Sequence, residues 1–226
     1  GQHGRLAGPR GVGAPLGLLL AFGIDRQCQP VLDVGAVDGD EPAKMRAAST
    51  AFLNGLNDTN SSARIVEFAT TSKELISRKN IQGQGLTDLI AAVNSYKSGG
   101  LGNTTNWESP LWRTLGEPIP GKGLVVFMTD GDPNTTGDIN GSGTTYPVNA
   151  GTAASAAEVY ANQLKTAGNR MLAVGIGTSN DGQKDRLKQI SGPNLVTSIG
   201  ATDTINDFDA VVTDSFDDLT AAMKRV

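Results

Sequence analysis

Apolar residues in this chain come as short unbroken runs, separated by stretches in which they recur every three or four positions. Leu16 to Asp25, Leu124 to Thr129 and Met171 to Ile176 are runs of the first kind. None alternates with polar residues, which is the pattern of parallel strands buried on both faces. Ala63 to Thr70 alternates Ile65 with Glu67 and predicts a strand, with a hairpin partner around Glu74 to Ile76. Leu195 to Ser198 predicts a further short strand. Helical spacing is carried by Met45, Ala48, Phe52, Leu53 and Leu56 behind Pro42, and by Leu86, Leu89, Ile90 and Val93 ahead of Gly99 and Gly100. Trp107, Leu111 and Leu115 predict another helix, with Pro110 either an early helical position or the start of its regular part. Ala153 to Ala167 predicts a long helix with Ala157, Tyr160, Ala161 and Leu164 on its buried face. Gln183 to Ile190, capped by Asp181, and Phe216 to Met223 complete the set. Arg26 to Asp40 and Asn134 to Asn149 are polar and rich in turn formers, and predict loops.

Strands separated by helices predict an α/β fold: a doubly wound, mainly parallel central sheet flanked by helices. No repeat, linker or low-complexity tract divides it. The expectation is a flexible N-terminal arm over residues 1–15 and a single domain over 16–226. The run from Val12 to Phe22 has a second reading as a signal-peptide core behind Arg5 and Arg10. We take it as the first strand, because LGLLLAFGID runs apolar into an aspartate.

Composition narrows the chemistry. The 226 residues carry a net charge of −4, with Lys and Arg scattered, so no basic surface predicts nucleic-acid binding. No apolar stretch is long enough to predict a membrane span. Cys28 is the single cysteine, which excludes an internal disulfide and a thiolate metal cluster. His3, the single histidine, lies in the Gly-rich terminus, which excludes a histidine triad in the core. With no phosphate loop and no nucleophile and base in sequence, the chain reads as non-enzymatic. A metal-dependent or nucleotide-linked enzyme in the same crevice is the rival from another class.

The chemistry that remains is oxygen. Asp25 and Asp130 each end a predicted strand, and Thr105 follows the glycine loop GGLGNTT. In open α/β sheets the carboxyl ends of the strands hold the ligand crevice, and carboxylates with hydroxyls are ligands that Mg²⁺ prefers. Taken singly, each aspartate is equally well a turn residue or a helix cap.

Taken together, FMTDGDPN at 127–134, TNWESPL at 105–111, LAVGIG at 172–177, LKQISGP at 187–193 and VTDSFDDLTAAM at 212–223 resemble the von Willebrand factor type A domain, in its bacterial surface-protein form. The resemblance spans roughly residues 16–226. It implies a metal-ion-dependent adhesion site on top of the sheet, a protein or extracellular-matrix ligand, and an extracellular or cell-surface location. It also implies metal ligands at Thr105 and Asp130, which match the family's later motifs. The first motif, Asp-x-Ser-x-Ser in the family, is altered. It aligns either with Asp25, Gln27 and Gln29, or with Asp33, Gly35 and Val37. We take the Asp25 register, since Pro30 interrupts any central strand leading to Asp33. Glutamine amide oxygens can bind hard cations, but they sit farther from the backbone than a seryl hydroxyl. The expectation is therefore a weak or vestigial divalent-metal site, with Mg²⁺ or another divalent cation held weakly or not at all. A metal-free structural module of the same fold is the alternative within binding proteins.

Overall fold

The computed structural model describes residues 17–23, 41–57, 60–96, 101, 104–117, 123–176 and 180–213. In chain order these form β1 (Gly17–Gly23), α1 (Glu41–Gly55), β2 (Ser62–Phe68), β3 (Ser72–Asn80), α2 (Gly83–Ser95), α3 (Glu108–Leu115) and β4 (Leu124–Thr129). A short hairpin of β5 (Thr135–Gly137) and β6 (Thr145–Pro147) follows. Then come α4 (Ala150–Thr166), β7 (Arg170–Ile176), α5 (Asp181–Ser191), β8 (Leu195–Val196) and β9 (Ala210–Thr213).

The main sheet has seven strands in the order β3-β2-β1-β4-β7-β9-β8. All neighbours are parallel except β2 and β3, which form an antiparallel hairpin at one edge. β1 lies between β2 and β4, with Gly23 opposite both Phe68 and Thr129. The chain therefore winds outward from β1 in both directions, and the carboxyl ends of β1 and β4 flank the point where strand order reverses. In open α/β sheets such a point is where a ligand crevice is expected.

Strand periodicity divides the core in two. On β4, Val126 and Met128 face a layer built with Met45, Phe52 and Leu53 of α1 and Leu89 and Val93 of α2. Val125 and Phe127 face the opposite layer, with Trp107, Leu111 of α3, Ala157 and Ala161 of α4, and Leu187 of α5. Small alanines on α4 let that helix approach the sheet closely, whereas Trp107 fills the space beside α3. Trp107 is wholly buried and meets Phe127 edge-on at 5.4 Å between ring centroids. Trp107 is therefore a core residue and not part of a surface rim.

Most of the predicted elements are present, and the run after Pro15 is an interior strand of the sheet. Four differences have physical causes. The partner of β2 spans nine residues rather than three, because its charged alternation, SKELISRKN, is that of an exposed edge and two register irregularities against β2 disturb its period. The polar stretch 134–149 contains the β5–β6 hairpin, whose three-residue strands are too short to show a period. β9 is only four residues long and follows a polar stretch. Finally, α5 is capped by Asn180, whose side chain accepts the Gln183 N–H at 3.1 Å; Asp181 is the first helical residue instead. Tyr160, expected on the buried face of α4, is only partly buried. The arm at 1–15, the loop at 26–40 and the helix at 216–223 lie outside the described residues.

Candidate functional site

β4 delivers Asp130 to the switch point. The two-residue alternation of Val126 and Met128 continues to Asp130, placing it on the side of α1 and α2. Its turn is pinned by the preceding residue. The Thr129 hydroxyl donates to the Gly131 carbonyl at 3.1 Å, and the Gly131 N–H approaches the same oxygen at 3.3 Å. Asp130 is half-buried, with its Oδ2 withdrawn from solvent.

The same face brings Glu67, near the end of β2, and Tyr96, just past α2, toward Asp130. Burial pushes the Tyr96 phenol well above the usual phenol range, and the carboxylates of Asp130 and then Glu67 push it further, against a smaller pull from Arg46. Glu67 is buried and paired with Lys73 at 2.7 Å. Neither Glu67 nor Tyr96 is marked by any motif. The only signal in sequence is a carboxylate at an inward strand position, which alternation alone does not distinguish from an exposed one.

Thr105 arrives from the loop between α2 and α3. Its N–H donates to Asn134 Oδ1 at 2.9 Å, and its carbonyl accepts the N–H groups of Asn134 at 2.9 Å and Thr135 at 3.2 Å. The neighbouring Asn106 fixes the same loop from the other side. Its N–H donates to the Ala69 carbonyl at 2.8 Å, and its Nδ2 reaches the carbonyls of Thr70 at 3.2 Å and Gly137 at 2.9 Å. Its Oδ1 accepts the N–H groups of Glu108 and Ser109 at the start of α3, satisfying donors that a helix leaves unpaired. Thr104 donates its hydroxyl to Thr70 Oγ1 at 2.9 Å. The Thr105 loop is thus stitched to the β2–β3 turn on one side and to the loop after β4 on the other.

With its backbone groups used in this way, the Thr105 hydroxyl is left wholly buried and has no hydrogen-bond partner among the described residues. A buried hydroxyl in that state costs free energy, about 1–3 kcal/mol.

Asp132, two residues after Asp130, is clamped to α5. Arg186 reaches it with two nitrogens, Nε at 2.9 Å and Nη2 at 2.5 Å, and Asn180 adds a longer contact at 3.4 Å. Such two-point guanidinium pairs fix geometry as well as charge. Asp132 is therefore committed to holding the loop.

The structure brings Thr105 next to the loop that Asp130 begins. Asp25, Gln27 and Gln29 follow β1 and lie outside the described residues, as does Asp33. Among the described residues, no three His, Cys, Asp or Glu side chains gather into a metal-binding group. The two donors that are described, a carboxylate and a buried hydroxyl, match the oxygen chemistry that Mg²⁺ favours.

The strand order, the single antiparallel edge and the helices on both faces define the fold of a von Willebrand factor type A domain. Solved structures share this fold. The vWF domain of the type V pili tip protein Mfa5 from Porphyromonas gingivalis matches with a TM-score of 0.63 at 11% identity, covering 94% of this chain and 93% of that one. The PilB minor pilin from Streptococcus sanguinis matches at 0.65 and 14% identity, over 94% of this chain and 60% of that one. Proximal thread matrix protein 1 from the mussel byssus, with a zinc-occupied MIDAS motif, matches at 0.61 and 16% identity over 93% of this chain. This chain spans 44% of that structure's length. At these identities the likeness is one of fold. No family model matches the sequence, and no curated protein matches it.

Proposed function

We propose that this chain is a non-enzymatic binding domain of an extracellular or cell-surface protein, which contacts a protein or matrix ligand at the crevice where β1 and β4 diverge. A divalent cation is held weakly in that crevice by Asp130, Thr105 and the first-strand group Asp25, Gln27 and Gln29. Residues 16–226 act as one domain, with 1–15 an arm outside it. The observation that carries this reading is the Thr105 hydroxyl, buried without a partner among the described residues, beside the loop that presents Asp130. A structural hydroxyl is expected to find a partner within the fold, whereas one reserved for a ligand is not. The pilus and matrix proteins of the same fold support the extracellular setting.

When bound, the cation supplies an open coordination position for a ligand carboxylate. The chain's own residues do the rest: Thr129 fixes the turn at Asp130, Asn106 and Asn134 fix the Thr105 loop, and Arg186 anchors Asp132 to α5.

Calorimetric titration with Mg²⁺, Mn²⁺ and Ca²⁺ tests the reading. The expected dissociation constant is on the order of 10⁻³ M, at the weak end of extracellular cation sites. Gln27→Ser combined with Gln29→Ser should tighten it, and Asp130→Ala should abolish it. Binding that survives Asp130→Ala unchanged overturns the site. Hydrolytic or nucleotide-binding activity that depends on Asp130 overturns the non-enzymatic reading.

A further inference from the structure

Both main-chain groups of Thr105 are bound to a single residue. Asn134 takes the Thr105 N–H on its side-chain oxygen at 2.9 Å and returns its own N–H to the Thr105 carbonyl at 2.9 Å. The assignment of the amide is fixed by this geometry, because a backbone N–H must face oxygen rather than an NH₂ group. The same Oδ1 accepts the Thr135 hydroxyl at 3.0 Å, so the carbonyl oxygen is doubly occupied. The Asn134 carbonyl in turn accepts the Val148 N–H at 3.0 Å, at the far side of the hairpin.

Asn134 also closes the loop that Asp130 opens. Between them, Gly131 is tied to the Thr129 hydroxyl and Asp132 to Arg186, which leaves this segment little freedom to move. Asn134 is thereby a two-bond link between the segment after the strand that carries the carboxylate and the loop that carries the buried hydroxyl. Without its side chain, the Thr105 N–H loses its acceptor and the loop keeps only the carbonyl side of the bracket.

We infer that Asn134 is a positioning residue, whose side-chain oxygen sets where the Thr105 hydroxyl stands relative to Asp130 and so sets the cation affinity of the crevice. This rests on the cation reading proposed above and deepens it. Groups that orient metal ligands typically change affinity by about 10- to 100-fold when removed. That is the loss expected here.

The test is titration of Mg²⁺ and Mn²⁺ into the parent and three variants, with folding of each checked by thermal unfolding in chelator. Asn134→Ala should weaken binding at least about tenfold. Asn134→Ser keeps the backbone bracket, but its hydroxyl is too short to reach the Thr105 N–H, so it should weaken binding similarly; it serves if the alanine variant does not fold. Asn134→Asp presents an oxygen at the same reach and should restore parental affinity, which a merely stabilising role does not predict. Alanine and serine variants that titrate like the parent, or an aspartate variant as weak as they are, overturn the inference while leaving the cation site standing. A parent that binds neither metal overturns the cation reading itself, and this inference with it.

Discussion

Thr105 concentrates the residue-scale conflict between stability and binding. Its backbone is fully used, and its hydroxyl is buried without a partner among the described residues. Thr105→Val replaces that hydroxyl with a methyl group of similar size. The metal-free protein should then be more stable by about 1 kcal/mol, since removing an unpaired buried polar group recovers its desolvation cost. The same variant should lose its response to divalent cations. Denaturant unfolding with and without Mg²⁺ reads both effects, and a destabilised variant would mean that the hydroxyl has a structural partner. Resemblance marked Thr105 and Asp130 in the sequence, and Thr105 is hydrogen-bonded to the loop that Asp130 begins. Asn134 and Asn106 fall inside its motifs but received no role, and Arg186 falls outside them, because their roles consist of bonds to loops far away in the chain.

At the scale of elements, the β5–β6 hairpin shows how a polar stretch acquires structure. Its strands have three residues each, too few to stand on their own pairing. The hairpin is held by anchors from elsewhere. Asp138 is buried, with a φ of 57°, a left-handed conformation that aspartate tolerates better than most residues. Its carboxylate accepts the Gly143 N–H at 2.8 Å, the Ser109 hydroxyl at 3.0 Å and the Ser72 N–H at 3.3 Å. Glu108 adds a bond to the Gly137 N–H at 2.7 Å. Asp138→Ala strands these donors and forces alanine into a left-handed turn, so it should cost about 3 kcal/mol in equilibrium unfolding. Asp138→Asn keeps the conformation and an acceptor, and should cost less. Equal losses would show that charge, and not the turn, decides the site. Asp138 reads in sequence as one more loop aspartate, and nothing local reveals that it is buried.

At the scale of the whole molecule, Tyr96 joins the end of α2 to the ends of β2 and β4. Its phenol is held neutral by burial and by the carboxylates of Asp130 and Glu67. Its folded-state pKa lies above its unfolded value, so the folded protein holds this proton more tightly. The resulting stability is whole below about pH 10 and is lost as pH rises past that point. In chelator, the unfolding free energy of the parent should fall more steeply between about pH 9 and 11 than that of Tyr96→Phe. Parallel curves would show that the phenol does not sense the fold.

Periodicity determined much of this protein. Unbroken apolar runs specified β1, β4 and β7, helical spacing specified α1 to α5, and their order specified a mainly parallel α/β sheet. These signals are local, because burying a strand on two faces or a helix on one constrains residues within a single turn or pleat. The tertiary structure alone decided that β1 lies between β2 and β4, that a hairpin forms in the polar stretch after β4, and that Asn134 binds Thr105. Those outcomes depend on which distant loops meet and on how their buried polar groups are satisfied, and no window of sequence contains both partners.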